Sequence, residues 1–470
     1  SVEERSQRMR YDAFDQVIGK LLGDASARVT ASTTAAQSAA IYTEYGLAYR
    51  YDAAGRAASI TDANGNKTVS YYDEAGRLTH VVNVLGEVSE TVYSAFGEAR
   101  ESTQLQARLI DSASLTGGLN TPIKPLVQAI KNATNDNKTV YDYNALGLLT
   151  AQTDAMGWLT SMAYNSYGER TSLLRTIAVG NTTTQSFAYN KRGELLSSIE
   201  DVGGLNRTTI TAYDAFGRMK TFQDGRGLVT STRYDLNGRK IVTQDPLNQT
   251  RSTEYDAWGR SYQETDALGN VTAFAYDDTA RKLTVTYPDG ASITTERNRH
   301  GETFKVTNAL GKVTTYTYTK SGQLDTVVDA LAKTSTDNTY DDAGNLISIK
   351  SALSQVTSFA YDAANRVVTR TAADGVITEY RFDGMGTYAY DRKGQVLSIT
   401  QDAGGLNLTT RYQYDGRGQQ VLVMRGTTTQ PEQQVTRYAY DALGRRTREQ
   451  VEPNGFNLTT QYRYNSNDQV

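Results

Sequence analysis

At 470 residues with a formal charge of -3, the chain is far longer than one ordinary domain and carries no net field that would gather nucleic acid or an acidic membrane surface. Its hydrophobic fraction of 38% is low for one large dry core, and 32 Tyr against 10 Phe means that much of its apolar surface ends in a hydroxyl. There is no cysteine for a disulfide or a thiolate metal site, no apolar run long enough to span a membrane, and Ser1 to Arg10 is charged rather than signal-like.

From the N-terminus, Tyr11-Asp12 with Asp15 four residues after the Tyr looks like a degenerate first copy of something that recurs. An Ala, Ser and Thr-rich excursion from Gly23 to Ala40 follows, so residues 1–50 read as a separate lead-in. Regular copies begin at Tyr51-Asp52 and continue at Tyr72-Asp73 and Tyr93-Ser94, then skip 50 residues to Tyr143-Asn144. That gap is one period plus an insertion, placed at residues 101–137. Within it, Thr121-Pro122 ahead of Leu126, Val127 and Ile130 predicts a short helix lying on or beside whatever the repeats build.

The copies resume at Tyr164-Asn165, Tyr189-Asn190 and Tyr213-Asp214, and from there the beat is regular. Tyr213, Tyr234, Tyr255, Tyr276, Arg297 and Tyr318 stand 21 residues apart. Later copies start at Tyr340, Tyr361, Phe382, Tyr390, Tyr414 and Tyr440, with only the close pair at 382 and 390 breaking the rhythm. The chain closes on Tyr464-Asn465 to Val470, which opens a further copy and leaves it unfinished, so the sequence reads as a segment of something longer. A fixed period of this size is the mark of a repeat architecture.

Each period contains two Asp-x-x-Gly turns, as in Asp256-Ala257-Trp258-Gly259 and Asp266-Ala267-Leu268-Gly269. The Asp can accept hydrogen bonds from turn N–H groups, and the Gly supplies the positive φ of a type I turn closed by a bulge. Two such turns divide the period into two strands. The second strand alternates: Thr272, Phe274 and Tyr276 share one face, as do Thr314, Tyr316 and Tyr318, Thr357, Phe359 and Tyr361, Thr436, Tyr438 and Tyr440, and Thr460, Tyr462 and Tyr464. The repeat Tyr is therefore read as a structural residue. Where the Gly is replaced, Asn365 can visit the left-handed region, whereas Ala280 cannot do so cheaply, so the loop at 277–281 is expected to be looser or shifted.

About nineteen modules of two strands give roughly 36 to 38 strands, which would extend on the order of 180 Å at about 4.8 Å per strand. Twist forbids so long a sheet from staying flat. The expectation is an all-β, single-layer spiral of short antiparallel strands around a space.

Iterated Tyr-Asp-x-x-Gly-Arg, as at Tyr51 to Arg56, Tyr213 to Arg218 and Tyr440 to Arg445, followed by Asp-x-x-Gly and Thr, resembles the Rhs/YD-repeat family over residues 51–470. Its members include bacterial Rhs polymorphic toxins, the B and C components of Tc toxins and the teneurin YD shell. The resemblance implies a hollow β-cocoon, a non-enzymatic wall of an exported, secreted or surface-located toxin that takes part in interbacterial competition. It implies as partners the protein's own C-terminal toxin cargo, outside this segment, and secretion or delivery machinery, with no nucleic acid and no membrane span. An extracellular adhesion or carbohydrate-binding array of exposed Tyr rings is the alternative.

No residue stands out as catalytic, cofactor-binding or metal-binding. His80 and His300, the only histidines, lie in distant repeats and read as structural. Asp62-Ala63-Asn64-Gly65-Asn66 starts like a calcium loop, but Asp73 occupies the twelfth position where a Glu is required. Asp245-Pro246-Leu247-Asn248 is the nearest string to the Asp-Pro self-cleavage element that the resemblance leads one to seek. It lacks the following Gly-Leu and falls in register with a second turn. The Asn-x-Thr sequons, such as Asn270 to Thr272, arise from the turn-to-strand sequence itself.

Overall fold

A computed structural model describes residues 7–133, 136–178, 180–331, 333–379, 395–401, 408–415, 417–427, 434–441, 443–453 and 457–464. The close pair of copies at 382 and 390 lies outside the described residues. Among those described, 38 strands join one sheet. Apart from one two-residue strand, each pairs antiparallel with the strand before and after it, from Arg8–Tyr11 to Leu458–Gln461.

The regular repeat shows why. Strand Thr250–Tyr255 turns at Asp256 into Ser261–Thr265, which turns at Asp266 into Val271–Asp277. In the first turn the Gly259 N–H bonds the Asp256 carbonyl at 3.1 Å and the Asp256 N–H bonds the Arg260 carbonyl at 2.8 Å. The register slips by one residue between Glu254 and Tyr255, the bulge expected of a type I turn closed by a left-handed Gly. Along Val271–Asp277, Thr272, Phe274 and Tyr276 are half-buried while Val271, Ala273, Ala275 and Asp277 are exposed, so the alternating pattern does set the two faces.

The substituted turns behave as their side chains dictate. Asn365 and Asn248 hold φ of 60° and 64° in the Gly place, and Asp15 does the same at 61°. The Ala280 turn is shifted: Ala280 is not left-handed, the positive φ of 50° moves to Arg281, and pairing runs regularly to Asp277↔Lys282 with no bulge. One extra ladder pair replaces the strain a methyl group would have met.

The insertion leaves the sheet after strand Ala99–Gln104 and returns at Asn137–Tyr143, two strands that pair with each other. It contains the expected helix, at Ile123–Ile130, and strand Gly118–Leu119, which adds in parallel beside Tyr71 and Tyr72. The buried helix face differs from the expected one. Ile123 and Val127 are fully buried against Val69, Tyr71, Val82 and Val88, with Ile130 beside them, while Leu126 points away and is exposed. Val69 and Tyr71 lie on the face opposite the Thr/Tyr stripe, so the insertion covers that face and builds the main apolar core.

The lead-in is more ordered than its composition indicates. Arg8–Tyr11 and Val17–Leu21 form a hairpin that continues the sheet into Leu47–Tyr51. The Ala/Ser/Thr-rich stretch between them forms a short helix, Gly23–Ala27, and a longer one, Ala35–Tyr45, started by a reciprocal cap between Thr34 and Gln37. Tyr42 of the longer helix is buried under Arg10 and against Gly19.

Candidate functional site: the repeat clamp and the seam

The Tyr-Asp-x-x-Gly-Arg string builds a clamp in two halves. Within a repeat, Asp235 Oδ1 accepts the N–H groups of Asn237 and Arg239, both at 2.9 Å, and its Oδ2 accepts Arg239 Nε at 2.7 Å. The same arrangement holds at Asp52 and Arg56, Asp214 and Arg218, Asp256 and Arg260, Asp362 and Arg366, and Asp441 and Arg445. Asp214 is held below the usual carboxylate range chiefly by its Arg218 bond. At Asp52, Asp73, Asp235 and Asp256 partial burial pushes upward, but the following Arg and the turn N–H groups outweigh it, so these too stay low.

Between repeats, the same Arg reaches forward. Arg239 Nη1 donates to the Asp256 carbonyl at 3.4 Å, and its guanidinium lies 4.6 Å over the Tyr255 ring. Arg56 covers Tyr72, Arg77 covers Tyr93, Arg218 covers Tyr234 and Arg260 covers Tyr276 in the same way. The Tyr hydroxyl reaches back: Tyr255 donates to the Lys240 carbonyl at 2.9 Å and Tyr276 to the Ser261 carbonyl at 3.0 Å, in each case the residue just after the preceding turn Arg. The ladder to the following strand reaches only as far as Val242 and Gln263, so these carbonyls lie beyond it and the phenol takes each up. Where the first turn ends in Arg, a repeat thus grips the next with one stacked cation and one hydroxyl. The sequence marks the Tyr and the Asp as structural; the link between Arg and the next Tyr shows only in the fixed spacing of the two.

Repeats one circuit apart meet along a seam. Asn64 Nδ2 donates to Asp341 Oδ2 at 3.2 Å, Asn365 Nδ2 to Asp62 Oδ2 at 3.0 Å, and Arg366 Nη2 to Glu87 Oε1 at 2.9 Å. The short N-terminal helix joins the same line, with Asp24 accepting the backbone N–H groups of Lys320 and Ser321 at 3.2 and 3.3 Å. Gly23 lies so close there that a Cβ would sit 2.1 Å from the Lys320 carbonyl oxygen. These partners are 277 to 303 residues apart. In each of the three side-chain contacts a second turn of the first coil meets a first turn of the second coil. A circuit of about two dozen strands at about 4.8 Å each makes a circumference on the order of 110 Å, hence a width near 35 Å, which side chains from a single layer cannot fill.

Glu87 is the busiest residue of the seam. Beside Arg366 it binds Arg108 of the insertion at 2.5 Å and Asn83 at 2.7 Å. Burial raises its carboxyl, but Arg366, Asn83 and Arg108 outweigh that and hold it below the usual range. Under the insertion, buried His80 bonds Thr79 Oγ1 at 2.9 Å through Nδ1, and its Nε2 lies 3.3 Å from Glu90 Oε1 without hydrogen-bond alignment. Glu90 also meets Lys131, just past the insertion helix, at 2.6 Å. Its burial is likewise outweighed, by His80 and Lys131, so it is held low. His300 sits in an exposed first turn, its N–H on Asn298.

The loops that sequence alone brings into question are occupied by this architecture. Asp62 spends Oδ1 on the N–H groups of Asn64 and Asn66 and Oδ2 on the side-chain amides of Asn66 and Asn365. Asp245 caps Leu247 and Gln249 in an ordinary second turn closed by Asn248. Among the described residues no group of three or more potential metal-binding side chains occurs.

A sequence model of the RHS repeat matches residues 51–88, 143–182, 255–292 and 340–377. Comparison with curated proteins found no match. Among solved structures, the Tc holotoxin pore of Photorhabdus luminescens with a TccC3 mutation superposes with a TM-score of 0.65 at 15% identity, over 97% of this chain and 26% of that one. The TcdB2-TccC3-Cdc42 structure gives 0.64 at 15%, and TcdB2-TccC3 without the hypervariable C-terminal region gives 0.65 at 16%, each over 97% of this chain and 26% of the other. At such identity the likeness is one of fold, and this chain spans about a quarter of the length of the structures it matches. Four segments of the chain thus match the RHS repeat, and the spiral sheet that carries the iterated clamp has the fold of the Tc toxin structures.

Proposed function

We propose that this chain is a non-enzymatic wall segment of an exported bacterial toxin, enclosing a C-terminal toxin polypeptide for delivery to competing cells. The observation that carries the reading is the seam: a single-layer sheet that returns to its own edge encloses a space too wide for its side chains to fill. The Tc toxin components of the same fold support the toxin half of the reading. A wall held by repeated clamps and seam contacts separates a toxic chain from the cell that makes it.

The rival reading, adhesion through exposed Tyr rings, fares worse. A sugar stacks on an open aromatic face, yet the repeat rings of Tyr72, Tyr93, Tyr234, Tyr255 and Tyr276 each carry a guanidinium over that face. The test is protease protection. The full chain is produced with a labelled, unfolded polypeptide appended after Val470, and digestion of the label is timed. The reading expects the label to outlast the same polypeptide free in solution by at least tenfold until the wall is denatured. Equal rates would overturn it.

A further inference from the structure

In the regular repeats, two strands joined by a second turn pair only near that turn. Between Ala57–Thr61 and Lys67–Tyr72 the ladder runs from Thr61↔Lys67 to Ser59↔Val69 and stops, so the strands part and the backbone of Tyr71 and Tyr72 faces a gap. The chain fills that gap itself. Strand Gly118–Leu119 of the insertion enters it in parallel, Gly118 opposite Tyr71 and Leu119 opposite Tyr72, and the Asn120 N–H bonds the Tyr72 carbonyl at 2.8 Å. Gly117 passes so tightly that a Cβ would lie 2.1 Å from the Ala58 carbonyl oxygen and 2.9 Å from that of Ser70. The clamp is undisturbed: Tyr72 still bonds the Ala57 carbonyl at 3.0 Å, and Arg56 still covers its ring. Such a gap accepts an extended segment through its backbone, and glycine is what lets the segment in.

The gap before Tyr340 has the same build and is open. Pairing of Leu324–Val328 with Thr334–Tyr340 ends at Thr326↔Asp337, and Tyr340 bonds the Leu324 carbonyl at 2.7 Å as Tyr72 bonds that of Ala57. A cavity of about 720 Å³ lies at its mouth, walled by Tyr340 and Asp342 of the second coil and by Arg28, Tyr45 and Leu47 of the first. It therefore lies within the seam, with a coil on either side, and its volume is in the usual range for a binding site, about 300–1,000 Å³. One wall carries an unused acceptor. Asn338 stands where Phe274, Tyr316 and Phe359 stand in other repeats; its Nδ2 donates to the Leu324 carbonyl at 3.0 Å, while its Oδ1 is buried with no partner. A buried acceptor left in that state costs stability until a donor reaches it.

We infer that the Tyr340 gap is a binding site for an extended, glycine-containing polypeptide segment, which adds there as a short parallel strand. One backbone N–H of the segment meets the Tyr340 carbonyl, as Asn120 meets Tyr72, and another donor meets Asn338 Oδ1. So few bonds give a weak site, with a Kd on the order of 1 mM for a free peptide. The inference is independent of what the wall encloses.

The probe is a synthetic peptide of residues Leu115–Thr121 with a photoactivatable leucine at position 119, cross-linked to the full chain and mapped by mass spectrometry. Saturable labelling is expected within residues 319–344, weakened at least tenfold by Gly117→Ala in the peptide and by Asn338→Phe in the chain. The second change restores the side chain that Phe274 and Phe359 place at this position, so it fits the repeat while filling the gap. Unchanged far-ultraviolet circular dichroism shows that the variant is folded, and the peptide change is decisive without it. Absence of saturable labelling within residues 319–344, or labelling there that Gly117→Ala in the peptide leaves unweakened, would overturn the inference.

Discussion

Arg366 donates a 2.9 Å hydrogen bond to Glu87, a residue 279 positions earlier in the chain. That bond fastens the second coil to the first, and through Arg108 the same carboxylate fastens the insertion. Glu87→Gln keeps the size and loses the charge, so Arg108 loses the carboxylate it binds and Arg366 keeps only Asp362. A loss of about 1–3 kcal/mol, confined to the seam, is expected. Hydrogen exchange should speed up in the turns around residues 83–87 and 362–366 while the strands between them stay protected.

The same residue gives a pH dependence whose sign is determined. Its carboxyl titrates lower in the folded chain than in the unfolded one, because the Arg and Asn bonds outweigh burial. Its contribution is therefore fully present above the unfolded value, about 4.3, and is lost as pH falls through the folded value. Exchange at the seam should rise on acidification below about pH 4.3, and the Glu87→Gln chain should lack that component.

The clamp should tolerate single losses and fail collectively. Tyr255→Phe removes one hydroxyl bond to the Lys240 carbonyl and should cost about 1 kcal/mol. Replacing Arg218, Arg239 and Arg260 together by Lys keeps the charge but removes three forked bonds and three planar stacks. Thermal unfolding of that triple variant should fall by more than the sum of the single ones, because adjacent repeats support each other.

Turn chemistry offers a paired test. Gly269 has φ of 84° in open space, so Gly269→Ala meets only backbone strain, of about 1–2 kcal/mol. Arg281 already bears φ of 50° in the shifted loop, and Arg281→Gly should stabilise the chain slightly. Chemical denaturation midpoints moving in opposite directions check both.

In the insertion, Ile123→Ala and Val127→Ala remove fully buried methyl groups and should cost about 2–5 and 1–3 kcal/mol. The sheet beneath is held by its own ladder. Proteolysis should then cut within residues 105–133 while the repeats resist.

What the sequence discloses follows from range. The two turns, the bulge, the alternating stripe and the shifted Ala280 loop are each determined by residues within a few positions, and all are legible before the fold is known. The Arg of the turn is visible, but its grip on a Tyr sixteen residues on is not, since only the sheet brings them side by side. The helix at Ala35–Tyr45 is hidden by a composition that reads as low-complexity, and its start depends on the one Thr34–Gln37 cap. In the insertion helix, Pro122 draws attention to its start and away from Ile123, which is as fully buried as Val127. The seam leaves no local mark: Asn64 and Asp341 are ordinary turn residues until the spiral returns.

Closure of that spiral is tested most directly by a proximity measurement in a chain that has no cysteine of its own. Asn64→Cys and Asp341→Cys place two thiols on opposite sides of the seam, where the native side chains meet at 3.2 Å. Treatment of the dilute double variant with a short bis-maleimide should give a linked species of single-chain mass, with the peptide around residue 64 joined to the peptide around residue 341. Failure to form that internal link, with both thiols reactive toward a small maleimide, would contradict closure and leave the sheet an open ribbon.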